Sequence, residues 1–201
     1  MKFIISVLAL GMLASSCGSF KAKRVDANES DEKGLTITDN WLAADTSQVV
    51  ADILKQMKAH PGFSEMKTKH GRPKIFVAEV QNQTAEAYFP INDLNDELLN
   101  ELSMSGDFKL VDQAAREKIL GEITYQNDGM VDPATAKKIG KQTGADVMIF
   151  GSIYMKPEKR SGKTLKEYSV NIRLTDIETA TEFLRTRAKI NKYSEKNATS
   201  W

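Results

Sequence analysis

Cysteine is nearly missing from this chain. Cys17 stands alone, so no disulfide can close within the sequence, and only two histidines, His60 and His70, are available to help build a zinc site. They lie ten positions apart around a loop, with no carboxylate cluster beside them, and read as surface residues. Long apolar runs are missing too. The longest, Phe3 to Leu13, is shorter than the about 20 residues that a membrane-spanning helix needs. Charge of one sign is also lacking. The chain has 28 Lys and Arg against 27 Asp and Glu, a balance that favours neither nucleic acid binding nor general attraction to anionic membranes.

Catalytic signatures are absent as well. Residues 157–164, "PEKRSGKT", end like a phosphate-binding loop, but Pro157 stands where the first glycine should be. The stretch also falls between two expected strands, with no helix amino terminus to face a phosphate. It reads as a mobile hairpin loop. No serine lies in a nucleophile elbow, and no two carboxylates form a defensible acid pair. The sequence therefore predicts a protein that is not an enzyme, with no cofactor and no metal.

What is present begins at the amino terminus. Lys2, the apolar run and the small residues Ala14, Ser15 and Ser16 read as a signal peptide over 1–16. Cysteine follows at once, as in a bacterial lipobox, although Ala14 takes the place three before it and Leu13 lies one further out. Cleavage would leave Cys17 as the first residue, with lipid on its sulfur and amino group. An ordinary signal peptidase site with an incidental thiol is the competing reading. Removing Lys2 from the 28 basic residues leaves 27, against 27 acidic ones. Residues 17–40 are polar and charged with little to bury, which predicts a flexible tether. A domain follows over 41–192, then a polar tail over 193–201.

Within the domain, Val50, Ile53, Leu54 and Met57 recur at the spacing of a buried helical face. They predict a helix over 46–58, capped by Asp45 or Thr46 and ended by His60-Pro61-Gly62. "KIFVAEV" (74–80) and "DVMIFGSIY" (146–154) are strands apolar on both faces, as central strands are. Helices are expected over 91–104, 113–120 and 132–144, and a short strand over 108–111. Residues 166–175 and 181–190 alternate, which predicts an antiparallel pair with one wet face. The order predicts an α/β or α+β sandwich with a mixed sheet.

The wet face gathers Arg173, Arg185, Arg187 and Lys189, a basic strip able to dock an acidic partner or a small anionic ligand. The competing reading is a solvated face paired with Glu167 and Glu182. Asn82 and Thr84 match a glycosylation acceptor pattern, but read better as side chains that hydrogen-bond the loop after the strand.

Three runs, "KIFVAEVQNQT", "LNDELLNELSMSGDFKLVDQAAREKIL" and "GADVMIFGSIYM", resemble in order and spacing the LpoB-type activators of penicillin-binding proteins. The resemblance spans about Trp41 to Ile190 and implies the fold of the TolB amino-terminal domain, a mixed sheet of about five strands flanked by helices. The curli secretion lipoprotein CsgG shares that scaffold. It implies an outer-membrane lipoprotein, facing the periplasm, that binds and activates a bifunctional peptidoglycan synthase. The alternative is an assembly lipoprotein of a flagellar or secretion apparatus on the same scaffold.

Overall fold

The computed structural model describes residues 25–111 and 144–195. Its organising strand, β1 (Lys74–Asn82), buries Ile75 and Val77 on one face and Phe76 and Ala78 on the other. A strand apolar on both faces must be covered on both, as the interior strands of a sheet are. β1 pairs in parallel with β2 (Lys109–Leu110) and with β3 (Val147–Arg160). β4 (Lys163–Asp176) and β5 (Glu182–Glu195) then add antiparallel, giving the order β2-β1-β3-β4-β5. This mixed α+β sheet is the expected fold class.

Helices cover the inner face. α2 (Ala43–Ala59) buries Val49, Val50, Ile53, Leu54 and Met57, and α4 (Ile91–Met104) buries Leu94, Leu98 and Leu102. They pack on Val147, Ile149, Tyr168, Val170, Ile172 and Leu174. The register of β1 slips between Val77 and Val80, which returns Val80 to the inner face. Buried Asn95 of α4 serves the backbone there: its Oδ1 accepts the Val80 N–H at 2.7 Å, and its Nδ2 donates to the Ile91 carbonyl at 3.0 Å.

Several local expectations are corrected. α2 starts earlier than Thr46: Leu42 holds the cap position, and Asp45 reaches back to accept the Leu42 N–H at 2.8 Å. Thr46 instead accepts the Trp41 indole N–H at 2.8 Å. His60-Pro61-Gly62 ends α2 but also opens α3 (Pro61–His70), because His60 Nδ1 accepts the Gly62 N–H and proline suits the first helical turn. α3 lies against the β5 edge so closely that a Cβ on Gly62 would sit 1.8 Å from the Phe183 carbonyl oxygen.

No long hairpin loop spans 157–164. β3 and β4 stay paired from Val147↔Asp176 to Arg160↔Lys163. Ser161 and Gly162, with φ of 50° and 77°, make a two-residue turn whose twist suits a hairpin. Pairing of β1 with β3 ends at Asn82↔Ile153, so a ribbon of β3, β4 and β5 projects beyond β1. Pro157 sits in that overhang, where β3 has one strand neighbour.

Within 17–40, expected as a flexible tether, residues 27–37 form helix α1 (Ala27–Ile37). Local signals rather than burial make it: Asp26 caps the Glu29 N–H, and Lys33 pairs with Glu29 one turn away. β5 runs to Glu195, past the expected start of the tail. Cys17, the signal segment and the helix over 113–120 lie outside the described residues. So does the helix over 132–144, except for its terminator Gly144, which has a φ of 61°.

Candidate functional site

Strand alternation sends odd-numbered side chains of β4 and β5 to the outer face, and the register sets their neighbours. Arg173 lies opposite Arg185, Asn171 opposite Arg187 and Ser169 opposite Lys189. Two arginines facing each other repel. Arg173 is compensated from the neighbouring strand β3 and Arg185 from its own strand. The Arg173 guanidinium lies 5.5 Å from the centre of the Phe150 ring, a cation–π arrangement. Arg185 forms a two-pronged pair with Glu182, at 3.1 Å and 2.9 Å, which holds the guanidinium pKa above its ordinary value.

Arg187 is held differently. Its Nε donates to Asn171 Oδ1 at 2.7 Å, and its main chain exchanges two hydrogen bonds with the Gln56 side chain of α2. Gln56 thus occupies the open edge of β5, where another strand would otherwise pair. Among the described residues Arg173, Arg187 and Lys189 form no salt bridge; of the two glutamates considered as local partners, Glu182 pairs with Arg185. All four basic residues therefore share one exposed or half-exposed face.

The same alternation continues toward the ribbon tip and places Tyr154 and Tyr193 on this face, 49% and 59% exposed. Sequence reasoning missed both. Their signal was the period of two, which persists after the apolar residues stop. Exposed tyrosines beside arginines are the composition of protein-docking surfaces.

The inner face has its own polar end. Lys166 and Lys192 are register neighbours beyond the apolar core, and each is neutralised by a different segment. Lys192 meets Asp45 at 2.6 Å. Lys166 meets Glu86 at 2.9 Å, Asp39 at 3.1 Å and the Asn40 side-chain oxygen at 2.7 Å. Burial acts to lower the Lys166 pKa, but the Glu86 and Asp39 bonds outweigh it and the pKa is raised. Tyr168 donates to both Glu86 oxygens, and burial followed by that carboxylate pushes its phenol well above the ordinary range. Beside this cluster a cavity of about 280 Å³ is lined by Asn40, Trp41 and residues 86–90.

Asn82 and Thr84 shape the loop that carries Glu86. Asn82 Oδ1 accepts from the Thr84 N–H at 2.9 Å and its hydroxyl at 2.7 Å, and Thr84 Oγ1 accepts the Glu86 N–H at 3.2 Å. His70 is not a surface residue. It bonds Asp176 at 3.0 Å, and that carboxylate is 1% exposed. Burial favours the protonated Asp176, but bonds from Lys69, Thr179 and His70 together hold its pKa well below the carboxylate range. These contacts tie α3 to the β4–β5 turn. Among the described residues no group of three or more His, Cys, Asp or Glu can hold a metal ion, and no helix is long and apolar enough to cross a membrane.

The family model for the peptidoglycan-synthase activator LpoB matches residues 45–190. The LpoB C-terminal domain from Salmonella enterica shares the fold, with a TM-score of 0.53 at 16% identity over 73% of this chain and 98% of that one. The NMR structure of Escherichia coli LpoB gives a TM-score of 0.48 at 13% identity over 91% and 85%. The LpoB C-terminal domain from Escherichia coli gives 0.46 at 16% identity over 70% and 96%. No curated protein matches.

Proposed function

This chain belongs to the family of the peptidoglycan-synthase activator LpoB, and from that premise we propose that it binds a bifunctional penicillin-binding protein and raises its glycosyltransferase and transpeptidase activity. The family match over 45–190 carries the reading, because those residues include nearly all of the helix-covered sheet, from the first turn of α2 to Ile190 in β5. The chain works as a regulator that docks, and supplies no catalytic group itself. Cys17 is its lipid anchor, holding the protein in the outer membrane with the domain facing the periplasm. The docking surface is the outer face of β4 and β5, where Arg173, Arg185, Arg187 and Lys189 meet an acidic patch on the synthase.

The test is reconstitution. The full-length lipoprotein in detergent is added to a purified bifunctional synthase from the same cell, and glycan polymerisation and peptide crosslinking are timed. Both rates should rise with a saturable dependence on the added protein. Unchanged rates across the synthases of that cell, with no synthase captured by crosslinking in cells, would overturn the reading. Capture of flagellar or secretion components in its place would favour the assembly role.

A further inference from the structure

The segment between α1 and α2 crosses the ribbon end of the inner face and is fastened at every step. Asp39 takes one bond at each end of its carboxylate: Oδ2 accepts the Ser194 hydroxyl at 2.5 Å, and Oδ1 faces Lys166 at 3.1 Å. The Ser194 bond, followed by those from Lys166, outweighs burial and holds the Asp39 pKa below its ordinary value. Asn40 accepts from Lys166, and the Asn40 N–H donates to Thr38 Oγ1 at 3.0 Å. Trp41 is 6% exposed, its ring centre 5.1 Å from those of both Phe89 (tilted) and Tyr168 (edge-on), with its indole N–H donating to Thr46. Leu42 then packs on Gly34 of α1, whose Cβ position lies 3.0 Å from Leu42 Cδ1.

We propose that residues 38–42 form a strap that fixes the direction in which the amino-terminal arm leaves the domain, with Lys166 as the residue that locks it. Lys166 is the one side chain in this cluster that holds the strap through Asp39 and Asn40 and the β1–α4 loop through Glu86. Removing its charge leaves two carboxylates facing each other across the vacated position. The strap lies on the inner face, so α1 departs on the side opposite Arg187 and Lys189. Lys166 is a positioning residue. The geometry does not depend on which partner the outer face binds.

The arm direction is read directly as a distance. In the full chain carrying Cys17→Ser, nitroxide labels go on Glu32→Cys in α1 and Lys55→Cys on the exposed side of α2. The otherwise unaltered chain should give one narrow distance distribution. Lys166→Met should lose that single peak and give a broad one, while amide exchange in β1 stays as slow as before. Lys166→Arg should retain most of the narrow peak. If Lys166→Met proves unfolded, Ser194→Ala and Asp39→Asn, which each remove fewer bonds, should still broaden the distribution. A narrow distribution in all the folded variants, or a broad one before any strap substitution, would overturn the proposal.

Discussion

Lys192 and Asp45 form an ion pair at 2.6 Å inside the protein, with side chains 6% and 11% exposed. The pair joins β5 to the first turn of α2, and Asp45 accepts the Leu42 N–H at the same time. A carboxylate at a helix amino terminus is favoured by the exposed N–H groups there, so one side chain starts the helix and neutralises the strand lysine.

Asp45→Asn should therefore destabilise the fold by about 3–5 kcal/mol, because it leaves a buried ammonium without its counter-charge. Asp45→Asn with Lys192→Met should cost less than the two single changes added together. Urea unfolding of the four proteins measures this coupling, and strict additivity would show that the pair contributes nothing specific.

Asp176→Asn should lower stability at pH 7 by about 2 kcal/mol, the scale of lost charge-assisted hydrogen bonds. Asp176 is depressed in the folded state, so its contribution is fully present above the unfolded carboxylate pKa of about 3.9. It disappears as pH falls below that value toward the folded pKa. Denaturant midpoints of parent and variant should converge below about pH 4. A constant gap down to pH 2 would assign the effect to packing instead.

Ile149→Asp should abolish the fold. Ile149 is fully buried on the inner face of β3, and an unpaired carboxylate there costs several kcal/mol. Loss of dispersed amide resonances is the readout. A native spectrum would mean that the strand shifts register to expose the position.

Arg185→Glu combined with Arg187→Glu should change stability by no more than about 1 kcal/mol, since both groups are exposed, the Arg185–Glu182 pair is a surface pair and the Arg187 guanidinium bonds the Asn171 amide oxygen. Affinity for the proposed synthase should fall by about tenfold or more, mainly through slower association. Surface plasmon resonance against that synthase measures it. Unfolding of the double variant would show instead that the strip is structural.

Cys17→Ala should leave the protein uncleaved or free of the membrane, because the sulfur is the proposed acylation point and stable anchoring needs more than one chain. Intact-mass measurement of the membrane-extracted protein is the check. An unmodified Cys17, or cleavage elsewhere, would remove the lipid anchor from the proposed function.

Apolar pattern by itself determined much of this protein. Ile75 to Ala78 had to be a central strand, and the spacing of Val50, Ile53, Leu54 and Met57 had to be a helix face. Burial of apolar groups is local in its signature and needs no partner to be named. α3 left only a short signature, Phe63 and Met66 three positions apart, while its cap is the His60 imidazole and its closest approach is to a main-chain carbonyl of β5. The tip of the ribbon left little apolar pattern, since beyond Met155 β3 continues as Lys156, Pro157, Glu158, Lys159 and Arg160, and backbone pairing with β4 carries it to the turn. The meaning of the charges belonged wholly to tertiary structure. Lys166, Lys192 and Asp176 look in sequence like any solvated ion, yet their partners lie 127, 147 and 107 residues away in Asp39, Asp45 and Lys69. A buried charge is tolerated only where folding delivers its opposite, and that delivery is a property of the assembled sheet and helices rather than of any stretch of chain.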